Sequence, residues 1–312
     1  MKYINSKDFK LNNTVVTLGK FDGFHKGHMK LIESLSEYKE EFNTVVFTFD
    51  ISPLKILGIH NDYILSKEER IYIYDKLDVD VVIEFPFNEH VMKMPAMQFI
   101  EDILVKKLDV KKIIVGSDYH FGYKRQGDVE LLKEMSNVYG YELQVLDKLD
   151  YQDEAVSSTR IKYSIKKGKM SNVSDMLGYN YFIKSKVIDG KHLGRKLGFP
   201  TINQNIDKNK IVPPKGVYVS KVMVDSKCYY GITNIGNAPT VEDDCDVKAE
   251  TNIFDFEDMI YGKEALVELL TFVREEKKFI NVEELKKQII KDIEIAKNYL
   301  EENGDDESEF AY

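Results

Sequence analysis

The first half of the chain alternates two kinds of segment. Short apolar, β-branched runs occur as "NTVVTL", "TVVFTF", "DVVIEF", "KKIIVG" and "YELQVL", the pattern of strands. Between them lie stretches with helical spacing: "HMKLIESLSEYK", "SKEERIYIYDKL", "PAMQFIEDILVKKL" and "DVELLKEMSNVYG". Ser66, Pro95 and Asp128 stand where helix starts are expected. Five strands alternating with helices predict an α/β domain with a doubly wound parallel sheet. Ligands are then expected beyond the carboxyl ends of the strands.

Past Ser157 the rhythm changes. "SSTRIKYSIKKGKMSNVSDML" reads as two short helices broken at Gly168. Strand-like runs follow without helices between them: "GYNYFIKSKVIDG", "GVYVSKVMV", "KCYYGITNIG", "DVKAETNIFDF" and "ALVELLTFV". They predict an antiparallel barrel or sandwich. "NVEELKKQIIKDIEIAKNYL" supplies one long amphipathic helix. A boundary near residues 176–182 gives domains 1–178 and 179–302, and the acidic residues 303–312 predict a disordered tail.

Composition narrows the function classes. The 312 residues suffice for two cores. The net charge of -9 argues against broad attraction to nucleic acid or an anionic membrane. Any phosphate must be met by local cations, backbone N–H groups and a metal. The two cysteines, Cys228 and Cys245, make no disulfide framework and fit a reducing cytosol. No apolar run reaches membrane-spanning length and "MKYINSKDFKLNN" lacks a signal-peptide core, so a cytoplasmic protein is expected. Oligomeric state is left open.

The densest chemistry lies in "LGKFDGFHKGH", Leu18–His28, between a strand and a helix. Gly19, Gly23 and Gly27 permit a sharp turn and close backbone approach. His25 and His28 flank a helix start, whose free N–H groups favour anions. Three readings are open: contact with phosphate, metal ligation, or packing. No Cys, Asp or third His lies at a spacing that completes a zinc site.

"GKFDGFHKGH" resembles the G-x-F-D-G-x-H-x-G-H signature of the bacterial bifunctional riboflavin kinase/FAD synthetase family. "VVFTFD", "SKEERIYIYDKLDVDVVIEFPF", "VGSDYHFGYKRQGDVELL" and "VSSTRIK" follow in family order. The resemblance runs to about Leu300. It implies a nucleotidyltransferase domain followed by a riboflavin kinase barrel. ATP is the co-substrate, riboflavin and FMN are the acceptors, and Mg²⁺ is required. His25 and His28 would then act on the ATP phosphates, with Gly19, Phe21, Asp22, Gly23 and Gly27 shaping the nucleotide site. The "GSDYHFG" loop would line the nucleotide and flavin site, with Asp118 and Phe121 toward flavin. Ser158 and Thr159 would bind phosphates, although as helix N-caps they look the same. Lys162 stands where the family usually has Arg, keeping the charge and losing the planar fork. "TFDISP" also lacks a histidine often found before that proline.

In the second half, "GKHLGRKLGFPTIN" resembles the kinase signature G-R-x-L-G-F-P-T-A-N, with Ile202 for the usual Ala. The likeness implies nucleotide contacts from Gly190, Gly194 and Arg195, and Mg²⁺ on Thr201 and Asn203. "KAETNIFDF" resembles the strand carrying the catalytic Glu, here Glu250. "FVREEKKF" nominates Arg274 for flavin, the alternative being a simple ion pair. "NIGNAPT" is expected as a loop beside the nucleotide site, and Lys277 and Lys278 as a solvated face. The implied function is phosphorylation of riboflavin to FMN and adenylylation of FMN to FAD. The alternatives are a kinase whose adenylylating half is weak, and a non-catalytic flavin sensor.

Overall fold

The computed structural model describes residues 1–50, 62–190, 194, 197–237, 247–256 and 258–303. Arg195, residues 238–240 of "NIGNAPT", Cys245 and the tail beyond Asn303 lie outside them. Contacts divide the chain into two compact units. Residues 70–157 join those up to 62, and residues 63–69 join those from 158 onward.

The first unit contains the five expected parallel strands and a sixth. The strands are β1 (Lys2–Ile4), β2 (Thr14–Leu18), β3 (Asn43–Asp50), β4 (Val81–Pro86), β5 (Val110–Gly116) and β6 (Glu142–Leu146). Their order is β1-β4-β3-β2-β5-β6, with every pair parallel. The chain runs outward from β2 to β3 and β4, then returns to β5 on the other side. The switch point therefore lies between β2 and β5, where open α/β sheets bind ligands. All five residues of β2 are buried.

Helix α1 (Lys26–Ser36) follows β2, and α2 (Lys67–Tyr74) precedes β4. At the start of α2, Ser66 and Glu69 form a reciprocal capping box: Glu69 N donates to Ser66 Oγ at 3.2 Å and Ser66 N to Glu69 Oε2 at 2.8 Å. A short helix, α3 (Glu89–Met92), comes after β4. The next helix, α4, begins at Ala96–Gln98 and widens over Phe99–Val105 into a π-helical stretch, where Lys106 N donates to Glu101 O. Asp128 caps α5 (Val129–Tyr139) as expected, and Gly140 ends it in the left-handed region. A two-strand hairpin, β7 (Asp150–Tyr151) with β8 (Glu154–Ala155), completes this unit.

The second unit opens with α6 (Ser158–Lys166) and α7 (Met170–Leu177), separated at Gly168 as expected. Six strands follow: β9 (Phe182–Lys186), β10 (Ile202–Asn205), β11 (Gly216–Val224), β12 (Lys227–Asn237), β13 (Val247–Ile253) and β14 (Glu264–Glu275). Their antiparallel order is β10-β13-β12-β11-β14-β9. The ends approach each other through the Ile188–Asn203 bridge and the Gln204 side chain donating to Ser185 O, so the sheet curls into a nearly closed barrel. Its interior holds a chain of hydroxyls, Ser220–Thr233–Thr251, with links of 2.8 and 2.9 Å. The long helix, α8 (Val282–Asn303), packs Ile289, Ile293 and Ala296 against Val217, Val219, Ile232 and Leu270 on the outer face.

Candidate active sites

In the first unit, β2 hands over to α1 through a turn held by aromatic rings. Phe21 and Phe24 are fully buried, stack at 5.8 Å, and both have left-handed φ of 47° and 41°. Such a conformation costs roughly 1–3 kcal/mol for a non-glycine residue and persists only where packing enforces it. Tyr74 of α2 supplies that packing, meeting Phe24 edge-on at 5.5 Å. Gly23, at φ 87°, completes the turn.

The two imidazoles stack with centroids 3.6 Å apart. His25 is the N-cap of α1: its Nδ1 accepts from His28 N at 3.3 Å. An accepting Nδ1 leaves the proton on Nε2, available to donate. Burial drives His25 down to about 4, against the opposing pull of Asp22 and Asp118. His28 lies well below its ordinary value, through burial and the neighbouring His25. Both are neutral at pH 7. The His28 Nδ1 is sealed from solvent, with no hydrogen-bond partner among the described residues.

Asp118 lies in the loop after β5, on the other side of the switch point. It is exposed and paired to Lys148 at 2.7 Å. Phe121 is buried among Phe99, at 5.6 Å, and Tyr119, at 5.7 Å, within the core. Ser158 opens α6 in the second unit, with exposed Thr159 beside it. The Lys162 ammonium lies 5.6 Å from the centroid of the Tyr63 ring.

A residue the sequence reading left unassigned lies under the turn. Arg70, 4% exposed, pairs with the wholly buried Glu84 of β4 at 2.6 Å. Tyr3 and Asn5 donate to the same carboxylate. Arg70 Nε has no partner among the described residues, and Asp22 and Asp50 lie close enough to act on its charge. The quoted "SKEERIYIY" contains Arg70, but nothing in helical spacing reveals that it is buried.

In the second unit, register assembles the chemistry. Asn203 of β10 stands opposite Glu250 of β13, and Glu250 opposite Asn234 of β12. The row continues through Val217 of β11 to Arg274 of β14. Directly paired residues share a face, so side chains far apart in sequence line up. Ala249 and Thr251 point the other way and are fully buried, while Glu250 is exposed. Residues 234–236, shared by the strand-like "KCYYGITNIG" and the expected loop "NIGNAPT", belong to β12, and pairing with β13 carries that strand on to Asn237.

A cavity of about 590 Å³ opens on this face beneath α8. Its lining combines polar Asn234, Glu250, Arg274 and Glu276 with apolar Leu197, Phe199, Val217, Ile232, Leu285 and Ile289. Lys277 and Lys278 are exposed at its rim. Arg274 is held by Asp292 of α8, with Nε at 2.9 Å and 3.0 Å and Nη2 at 2.7 Å. Asp292 is fully buried and also accepts from Gln288. A second cavity, of about 330 Å³, is lined by Pro200, Asn203, Asp258 and Tyr261 among others. Thr201 borders both.

Glycines make room at the rim. A Cβ at Gly190 would fall 2.3 Å from Asn203 Nδ2, and one at Gly194 2.3 Å from Phe199 O. Thr201 and Asn203 offer a hydroxyl and a carboxamide oxygen with no protein partner among the described residues. That is the hard, neutral donor set Mg²⁺ accepts alongside phosphate oxygens.

Comparisons with known proteins agree in order with this division. A family model described as FAD synthetase matches residues 7–160, and one described as riboflavin kinase matches residues 177–300. A bifunctional riboflavin kinase/FMN adenylyltransferase of Buchnera aphidicola is 35% identical over 307 residues, covering 96% of each chain. One from Haemophilus influenzae is 34% identical over 295 residues, covering 93% of this chain and 95% of its own. A crystal structure described as a macrolide-efflux protein from Streptococcus pneumoniae superposes with a TM-score of 0.84 and 30% identity, over 96% of this chain and 99% of that one. Among the described residues here, no helix is long and apolar enough to cross a membrane.

Proposed function

The chain belongs to the bifunctional riboflavin kinase/FMN adenylyltransferase family, and from that premise we propose how its residues divide the work. The protein phosphorylates riboflavin to FMN with ATP and adenylylates FMN to FAD, releasing pyrophosphate. Kinase work falls to residues 179–302 and adenylyl transfer to residues 1–178.

Thr201 on the border of both cavities is the observation that carries the kinase assignment. Phosphoryl transfer needs donor and acceptor to meet in line at one point. The smaller cavity suits the nucleotide. The larger, lined by both apolar and polar side chains, suits a flat ring system bearing a polyhydroxyl chain. Gly190, Gly194 and Arg195 contribute to the nucleotide side. Glu250 takes the proton from the primary hydroxyl as its oxygen bonds to the γ-phosphorus and ADP leaves. Thr201 and Asn203 would hold Mg²⁺, which supplies charge neutralisation on the phosphates when bound. Arg274, fixed by Asp292, faces the flavin.

In adenylyl transfer an FMN phosphate oxygen attacks the α-phosphorus of ATP, and pyrophosphate departs. No protein nucleophile is required. His25 donates from Nε2, and His28 and the N–H groups opening α1 complete the phosphate cradle. Gly19, Phe21, Asp22, Gly23 and Gly27 hold its shape. Ser158, Thr159 and Lys162 serve the nucleotide, and Asp118 and Phe121 the flavin. ATP as co-substrate supports a cytoplasmic setting, and the charge of -9 argues against a nucleic-acid partner.

Product analysis after incubation with riboflavin and MgATP tests the reading. FMN followed by FAD is expected; FMN without FAD would confine the activity to the kinase half.

A further inference from the structure

Asn234 belongs to no signature used above except the run "NIGNAPT", yet the sheet places it beside the proposed base. It is the direct partner of Glu250 across β12 and β13, on the same face and in the larger cavity. Paired Cβ atoms of this kind lie about 4.5–5.5 Å apart. Asn203 flanks Glu250 at the same register position on the opposite side. One carboxylate is thus bracketed by two carboxamides.

Neither Asn234 nor Glu250 has a side-chain hydrogen-bond partner among the described residues. No described neighbour supplies one. Arg274 is committed to Asp292 and to Glu275 O. Glu276 Oε1 lies against Gly236, where a Cβ would fall 2.2 Å from it and 3.3 Å from Asn234 Nδ2. A half-buried carboxamide at the cavity lining, its donor and acceptor both unspent among the described residues, fits a ligand group that is itself donor and acceptor. A hydroxyl is such a group.

The row also has a direction. Asn203 lies on the smaller-cavity side, where the metal and phosphates are assigned, with Glu250 next and Asn234 beyond it. The phosphoryl donor therefore approaches from the β10 side, and the acceptor's polyol chain extends toward β12. We propose that Asn234 binds the secondary hydroxyl adjacent to the one being phosphorylated, and so fixes which hydroxyl of the chain reaches Glu250. This rests on the kinase reading of the same cavity and adds a specificity-determining residue to it.

The test compares riboflavin with an analogue lacking the hydroxyl next to the terminal one, in wild type and in Asn234→Ala. Wild type should prefer riboflavin by about tenfold in kcat/KM, the size of one neutral hydrogen bond. The preference should vanish in Asn234→Ala, with FMN adenylylation unchanged as a check on folding. Preserved discrimination in the variant, or none in wild type, overturns the assignment. Wild type that phosphorylates neither compound overturns the kinase reading itself.

Discussion

The two halves treat their reactive side chains differently. In the first unit His25, buried, and His28, half-buried, are stacked and kept neutral in a turn clamped by Phe21, Phe24 and Tyr74. In the second, Glu250 stands exposed on a sheet face with no partner among the described residues. The contrast fits the chemistry proposed for each. Donors aimed at charge developing on a phosphate gain strength from a preorganised, water-poor setting. A base that must accept a proton from a hydroxyl must stay ionised, which exposure favours. The first site stores its specificity in packing, the second in strand register.

The largest expected effect probes the exposed site. Glu250→Ala should slow FMN formation by roughly 10²–10⁴ while FAD formation from supplied FMN persists; an unchanged kinase rate removes Glu250 from the base role. The floor of the buried site comes next. Arg70→Met leaves Glu84 as an uncompensated buried charge, costing about 3–5 kcal/mol, read in chemical denaturation of the full chain. A midpoint identical to wild type breaks the claim that packing beneath the turn depends on this pair.

His28→Ala should lower FAD formation about 10²–10³-fold and leave FMN formation intact. Equal loss of both activities in a folded variant would contradict separate sites. The smallest effect is on pH dependence. His25 titrates at about 4 when folded and near 6.5 when unfolded. Between those values the unfolded chain holds more protons, so stability falls as pH drops from 6.5 toward 4. His28 acts in the same direction. Replacing both with Gln should flatten that slope in thermal melts across the window; a slope equal to wild type places its origin elsewhere.

Much of the architecture is legible in local pattern. The five parallel strands beyond β1 are read directly; in β2, β3 and β4 the reason is that strands buried on both faces carry unbroken apolar runs, whereas β6 is an edge strand with no buried residue. The break at Gly168 and the cap at Asp128 are local chemistry and are read equally well. Strand β1 is missed because three residues make no periodicity. The π-helical widening of α4 is missed because apolar spacing alone does not distinguish it from an α-helix. Strand β10 is hidden inside a motif read for its chemistry, "GFPTIN", whose Ile202–Asn205 pair with β13.

By itself, then, the amino-acid order determines which segments become strands and helices, and which residue types gather at the turns between them. Periodicity and capping act over a few residues, so they are written locally. Tertiary structure alone decides that Asn203, Glu250, Asn234 and Arg274 form one row, and that Arg70 is buried against Glu84. Those arrangements depend on register and burial between segments up to tens of residues apart, and no local pattern carries that information.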